Sequence, residues 1–267
     1  MIKVFKHELK TNLKSVLIWS TALFLTAAAG FGEYVSMMKA GSLDELDALL
    51  GTMPRIVQVM FGMGSLPINT PMGWYACMFL WCAVVAYLYA ALLGASIISK
   101  EESEKTSEFL YTRPIKRSQV MSGKILASIL QVCVIVFFGW LSVIVVFAPH
   151  LEEASYVADI HLTMFGMLLT SIVFLFVGLC LSAIFSEKGK AATYSAAAVV
   201  ATYFISVAIE ANGDVDFLNF LSPFRYFETA RMIEIGIEAP YVLLSAFLVF
   251  ALGALTYVFY CKRDLRS

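Results

Sequence analysis

The polar segment from Ser99 to Lys124 holds the residues of this sequence that are best suited to specific recognition. Glu101 and Lys105 stand four residues apart, a spacing that places both side chains on one face of a helix and lets them pair. Pro114 disfavours helical backbone at the residue before it and so predicts a turn. The helix before that turn ends in apolar side chains, which are Phe109, Leu110 and Tyr111. The pattern predicts a short, stiff helix with an apolar tip that a soluble partner could grip; a solvated connector is the alternative.

Catalytic and metal-binding patterns are weak in this sequence. Glu101 and Glu102 invite comparison with membrane proteases, but they lie in a polar loop and no histidine accompanies them. The three histidines are scattered, and the five cysteines form no closely spaced pair of ligands and fall mostly in apolar runs. Both Gly-Lys pairs lack the other residues of a phosphate-binding loop. We therefore expect no catalytic residue, metal site or cofactor in this chain.

The elements that must position the polar segment are membrane helices. Of the 267 residues 60% are apolar and 15% are charged, against roughly 45–50% and about 25% in soluble domains. A bilayer core about 30 Å thick requires about 20 apolar residues of helix. Six segments meet that length, and they are 16–38, 72–98, 125–148, 162–185, 191–209 and 240–261. The predicted fold class is an all-α integral membrane protein, with residues 1–267 in a single transmembrane domain.

The distribution of lysine and arginine predicts how the spans are oriented. Fifteen of the 19 basic residues fall before the first span, between spans two and three, between spans four and five, or after span six. The opposite loops hold the other four, which are Lys39, Arg55, Arg225 and Arg231. Because basic residues are retained in the cytoplasm, both termini and the loop 99–124 are expected there. The first span resembles a signal peptide, but we expect it to be retained because the five later spans need it to set their orientation.

Residues 1–14 and the last outer loop carry further patterns. In residues 1–14 an apolar stripe lies beside a lysine stripe, which predicts an interfacial helix at the inner headgroups. That helix is either an anchor that sets the topology or an elbow that transmits motion into the first span. The last outer loop, 210–238, is too charged to span the membrane and too apolar to be a free loop. It predicts a short re-entrant or interfacial helix broken at Pro223.

The segment 101–124 resembles the cytoplasmic loop of type-2 permeases of ATP-binding-cassette (ABC) exporters. In that family an acidic, Thr-containing helix leads into Leu-Leu-x-x-Pro-x-x-Arg and then a Gly-Lys pair that opens the third span. The matching positions are Glu104, Thr106, Glu108, Leu110, Pro114, Arg117, Gly123 and Lys124. Residues 54–71 and 221–227 resemble the family's first outer loop and the segment before its last span. The resemblance therefore covers the whole chain.

The resemblance implies a transmembrane subunit whose cytoplasmic coupling helix docks on a separate ABC ATPase, the chain that would bind ATP and Mg²⁺. The coupling residues are expected to be those eight positions together with Glu101 and Phe109. The outer gate or re-entrant segment is expected at Pro223, Phe224, Tyr226 and Phe227. A second permease copy, or a related permease, would complete the pathway, with lipid around it and no nucleic acid as partner.

The expected location is the cytoplasmic (inner) membrane of a bacterium, where the chain is a multi-pass protein that exports a substrate. Two other classes of function stay open. The same loop could serve a membrane scaffold or immunity protein that binds a partner without transport. A secondary carrier is the other class, although it usually needs ionisable groups at mid-membrane, and none is evident in the spans. The sequence does not name the transported substrate.

Overall fold

The computed structural model describes residues 1–63, 66–103, 117–151, 154–185, 189–213 and 215–262. Within these ranges the chain forms α-helices joined by short turns, with no strand. The helices are α1 (Ile2–Ala40), α2 (Leu43–Gly51), α3 (Arg55–Met60), α4 (Pro71–Ser103), α5 (Arg117–Val146), α6 (Ala154–Ile184), α7 (Lys190–Asn212), α8 (Pro223–Tyr226), α9 (Thr229–Ile235) and α10 (Ala239–Lys262). Two 3₁₀ turns occupy Ala148–His150 and Asp216–Leu221.

Six of these helices are long and apolar enough to cross a membrane, and they are α1, α4, α5, α6, α7 and α10. This confirms the all-α class and the six spans. The helices extend beyond the apolar runs that predicted them: α5 begins at Arg117 rather than at residue 125, and α6 begins at Ala154 rather than at 162. Apolar runs mark the part of a helix that lies in lipid, whereas polar turns at its ends continue the same backbone hydrogen bonds.

The first helix corrects the expectation of a separate interfacial helix over residues 1–14. Helix α1 runs without interruption from Ile2 to Ala40. Neither glycine nor proline occurs before Gly30, so no residue interrupts the backbone hydrogen bonds between the basic turns and the apolar ones. Val4 and Glu8, one turn apart, are buried in the bundle. The N-terminal turns therefore extend the first span and pack against its neighbours.

The six long helices alternate in direction, which gives the bundle two ends. We call proximal the end at which α1, α5 and α7 begin and α4, α6 and α10 finish, and distal the opposite end. At the proximal end the hydroxyls of Ser122 (α5) and Tyr257 (α10) lie 2.7 Å apart. At the distal end the indole nitrogen of Trp74 (α4) donates to the carbonyl oxygen of Gly30 (α1) over 2.9 Å.

A close helix contact towards the proximal end of the bundle joins α4 and α6 through paired glycines. A Cβ on Gly94 would lie 2.2 Å from the carbonyl oxygen of Leu175, and a Cβ on Gly178 would lie 2.1 Å from that of Ala91. The two backbones therefore touch, as small residues allow between membrane helices. This crossing forms the centre of the core, to which α1, α5, α7 and α10 are added.

The segment before the last span forms a chain of short helical pieces, as expected. A 3₁₀ turn ends at Leu221, and the hydroxyl oxygen of Ser222 then accepts a hydrogen bond from the backbone nitrogen of Phe224 (3.3 Å). Pro223 occupies the first turn of α8, where its missing N–H costs no helical hydrogen bond. The helical path changes again at Phe227, so that α8 and α9 are separate pieces. Together they cover part of the distal end.

Candidate functional site

Most of the predicted coupling residues fall in 104–116, outside the described residues. They are Glu104, Thr106, Glu108, Phe109, Leu110 and Pro114. The backbone of Glu101 lies in the last turn of α4, and Arg117 opens α5. The coupling segment is thus bounded by two helix ends that the structure describes. Its coupling role stays a prediction.

Gly123 and Lys124 lie inside the bundle, on the buried face of α5. The Lys124 side chain is fully buried, and its Nζ lies 2.7 Å from Oε1 of Glu8 on α1. The same Nζ donates to the carbonyl oxygen of Ile97 on α4, also over 2.7 Å. We call the Glu8–Lys124 contact the proximal ion pair. It joins α1, α4 and α5 directly beside the ends of α4 and α5 that bound the coupling segment.

The neighbouring glycine explains how the proximal ion pair can form. A Cβ on Gly123 would lie 3.0 Å from the carbonyl oxygen of Met1 and 3.3 Å from Cβ of Val4. Only the absence of a side chain lets the first turn of α1 come this close to α5. Val4 and Glu8 share one face of α1 because they are four residues apart. The Gly-Lys pair thus combines a close helix approach with a buried positive charge.

Sequence reasoning assigned Lys124 to the surface that meets a soluble partner, and the structure places it against the chain's own Glu8. Any part that Lys124 plays in coupling must therefore pass through the helices it joins. Glu8 was missed as a functional residue. A signal was present, since Glu8 is the sole acid before Glu33 in a lysine-rich segment. The sequence contained no information on which of the many lysines it pairs with.

At the distal end, the predicted gate residues lie where α8 meets α4, α6 and α7. The ring centroid of Phe224 lies 5.0 Å from that of Tyr87 and 5.6 Å from that of Tyr203. Phe227 is buried against α6, where a Cβ on Gly166 would lie 2.7 Å from Cβ of Phe227. The structure therefore brings Phe224 and Phe227 together at one site, with Pro223 opening the helix that carries Phe224.

Tyr226 faces α10 rather than α7. Its hydroxyl donates to the carbonyl oxygen of Phe220 over 2.6 Å, and its ring stacks on Tyr241 with centroids 5.6 Å apart. Burial, with a smaller contribution from Tyr241, raises the pKa of Tyr226 to about 12. The phenol is therefore protonated at neutral pH and acts as a hydrogen-bond donor that fixes α8 to the preceding turn.

The residue between these aromatics, Arg225, was counted in the sequence only as a basic residue of an outer loop. Its side chain is largely buried. Nη1 lies 2.8 Å from Oε2 of Glu210 at the end of α7 and 2.7 Å from Oε2 of Glu228 before α9. Nε donates to Oδ1 of Asn219 over 3.1 Å. We call Glu210, Arg225 and Glu228 the distal network; it ties α7 to the segment before α10.

Two cavities adjoin the distal network. A narrow cleft of about 70 Å³ lies between α3, α4, α7 and α8, and a wider vestibule of about 720 Å³ lies at the distal surface. Both are lined by the same five residues, namely Leu66, Glu210, Arg225, Glu228 and Ala230. The distal network therefore forms part of the lining of both cavities.

No group of three or more histidine, cysteine, aspartate or glutamate side chains that could hold a metal ion occurs in the part of the chain that the structure describes. The arrangement at both ends consists of ion pairs, hydrogen bonds and packed rings. Such groups can fasten helices to one another, admit or exclude a ligand, and transmit movement.

Comparison with protein families identifies the chain. A family model described as an ABC-2 family transporter protein matches residues 2–265, nearly the whole sequence. The chain therefore belongs to the ABC-2 family of transporter permeases, and with its six apolar helices it is a multi-pass membrane protein. The resemblance noted from the loop motif is thereby confirmed. No curated protein sequence gives a match.

Proposed function

We propose that this chain is the transmembrane subunit of an ABC transporter and exports a substrate across the cytoplasmic membrane of a bacterium. The energy comes from ATP hydrolysed with Mg²⁺ in a separate ATPase subunit. Membership of the ABC-2 family supports the class of protein. The separate ATPase is supported by the sequence, in which no complete phosphate-binding loop occurs.

The observation that carries the coupling proposal is the proximal ion pair. The ATPase would grip segment 104–116 and move the ends of α4 and α5 that bound it. Lys124 on α5 holds both Glu8 on α1 and the carbonyl oxygen of Ile97 on α4. Separating these groups would leave a buried charge without its partner, which typically costs about 3–5 kcal/mol. The three helices would therefore move together, and a push on the coupling segment would reach the first span.

A partner for the transmembrane pathway is also part of the proposal. One chain supplies six spans, and α10 and α7 are less covered by the rest of the chain than α4 and α6 are. A second copy, or a related permease, would stand beside it and pair with a second ATPase. The proximal end, at which α1 begins with Lys3, Lys6, Lys10 and Lys14 and α10 ends at Lys262, would face the cytoplasm.

The test is the activity of the reconstituted complex. The chain is co-expressed with a candidate ABC ATPase, purified, and assayed for copurification and for ATP turnover in liposomes. Glu104→Ala and Pro114→Ala are expected to remove most of the ATPase coupling, because they alter the charge and the turn of the gripped segment. Lys39→Ala, an exposed change at the distal end, is the matched control and should leave turnover unchanged. Copurification and turnover unaffected by the first two variants would contradict the coupling assignment.

Orientation is tested separately. A cysteine at Ser103 should resist a membrane-impermeant thiol reagent in intact cells and react after the cells are broken, in a background with the native exposed Cys261 replaced. Labelling from outside would invert the topology. Partner binding without any transport would favour the scaffold or immunity class instead.

A further inference from the structure

We propose that the distal cleft binds an organic cation, and that Arg225 occupies the place of that cation when the cleft is closed. The inference concerns a ligand class that neither the family nor the loop motif specifies. Whether the cation binds does not depend on the proposed export activity. Only the direction in which the cation is then moved rests on that function.

The charge of the cleft favours a cation. Among the described residues that line the cleft, Arg225 is the one basic side chain, and Glu210 and Glu228 are two acidic ones. The lining of the cleft therefore carries a net charge of −1 with the distal network intact, whereas the described lining of the vestibule, which adds Arg55, Arg231 and Glu234, is neutral. Both carboxylates lie within 2.8 Å of the guanidinium, so the positive charge already present is fully engaged.

The aromatic lining favours an organic cation over an inorganic one. Five aromatic residues line the cleft, and they are Phe79, Tyr87, Tyr203, Phe224 and Phe227. The faces of such rings attract a cation by their quadrupole, and they also accept apolar groups bound to it. Quaternary ammonium and phosphonium ions combine both properties.

The size of the cavities indicates a closed state. Ligand pockets for drug-sized molecules measure about 300–1,000 Å³, and the cleft has a volume of about 70 Å³. The vestibule, at about 720 Å³, is within that range. Because the distal network lines both spaces, opening it would join the cleft to the vestibule and provide the missing volume.

The partial exposure of the two carboxylates makes an exchange of cations feasible. The side chains of Glu210 and Glu228 are 20% and 17% exposed, so water and ligands can reach them. An arriving cation would pair with a carboxylate that now holds Arg225. Asn219, which accepts from Nε of Arg225, would keep the displaced guanidinium nearby. Loss of the Arg225–Glu210 contact would remove one of the contacts that join α7 to the segment before α10.

The test compares two ions of the same shape and opposite charge. Binding of tetraphenylphosphonium and of tetraphenylborate to the purified full-length chain in detergent is measured by equilibrium dialysis, with empty micelles subtracted. We expect saturable binding of the phosphonium and none of the borate. Glu210→Gln should weaken phosphonium binding about tenfold, as expected for loss of one partly buried charge contact.

The decisive variant is Arg225→Met. If Arg225 competes with the ligand, its removal should tighten phosphonium binding about tenfold, whereas general damage to the site would weaken it. Arg225→Lys, which keeps the competing charge, should leave affinity near the native value and shows whether the fold tolerates change at this position. Weaker binding in Arg225→Met with a folded protein, or equal binding of the borate, would overturn the proposal. Cation binding without ATP-dependent transport would leave this site in place and contradict only the export function.

Discussion

The two ends of the helix bundle each hold a buried basic residue paired with acid, but they do so in different ways. At the proximal end one lysine meets one glutamate, with side-chain exposures of 1% and 6% and a backbone carbonyl completing the site. At the distal end one arginine is shared by two glutamates that are 20% and 17% exposed and stand beside two cavities. The first arrangement is sealed, whereas the second is in contact with water.

The difference teaches what each ion pair can do. Opening a sealed pair leaves a buried charge without its counter-ion and without solvent, so the helices it joins stay together during any movement. Opening a partly exposed pair lets water or a ligand cation replace the lost partner, so the free energy of opening is small. The proximal ion pair is therefore suited to transmitting motion and the distal network to changing partners.

The largest effect is expected from Lys124→Met, which tests whether the proximal ion pair differs from the distal network as described. It leaves Glu8 buried without its counter-ion, and we expect the folded state to lose about 3–5 kcal/mol. The measurement is thermal unfolding in detergent, followed by the fraction of monodisperse protein in size-exclusion chromatography.

A paired substitution separates charge from packing at the proximal site. Glu8→Leu combined with Lys124→Met removes both charges and should recover much of the lost stability, because apolar replacement of a buried ion pair is often neutral or stabilising. If the double variant is no more stable than Lys124→Met alone, the loss arises from packing rather than from an unpaired charge.

A smaller effect is expected from Gly123→Ala. The added Cβ would lie 3.0 Å from the carbonyl oxygen of Met1, so the first turn of α1 must move away from α5. Overpacking of this kind typically costs about 1–3 kcal/mol. Gly32→Ala on α1 is the control, since nothing lies within 4 Å of a Cβ added at Gly32. There alanine should be neutral or slightly stabilising, because it restricts the unfolded chain. Equal destabilisation by both variants would contradict the close approach at Gly123.

The smallest effect is expected from Glu210→Gln in the distal network. Arg225 keeps its contact with Glu228, and Glu210 is partly hydrated, so the cost should be at most about 2 kcal/mol. Glu238→Gln serves as a reference for a smaller loss of stability. The side chains of the Arg231–Glu238 pair are 31% and 28% exposed, and such pairs contribute about 0–1 kcal/mol. If Glu210→Gln costs as much as Lys124→Met in the same unfolding assay, the two ends do not differ as argued.

The sequence predicted those features of the fold that depend on whether a segment lies in lipid or in water. Six apolar runs predicted six long helices, although α5 and α6 begin before the runs that predicted them. The interruption of the last outer segment at Pro223 was also predictable, since proline restricts the backbone locally. The continuity of α1 was missed, because an amphipathic stripe can face either lipid headgroups or another helix.

The candidate sites were predictable only in part. The resemblance named Phe224 and Phe227 as gate residues; the structure shows that both line one cleft, and their gate role stays a prediction. Arg225, between them, was missed as a network residue because its partners Glu210 and Glu228 lie on other elements. Lys124 was found by its motif, but its partner Glu8 stands 116 residues away along the chain.

The amino-acid sequence by itself determined that this chain is a membrane protein, where the apolar parts of its six long helices lie, and which family it belongs to. These properties follow from local composition and short motifs, which are readable one segment at a time. Only the tertiary structure decided that Lys124 is buried against α1 and α4 and that Arg225 pairs with Glu210 and Glu228 beside a cleft. Charged side chains in a bundle pair according to which helix faces meet, and that depends on close approaches such as the one at Gly123 rather than on spacing along the chain.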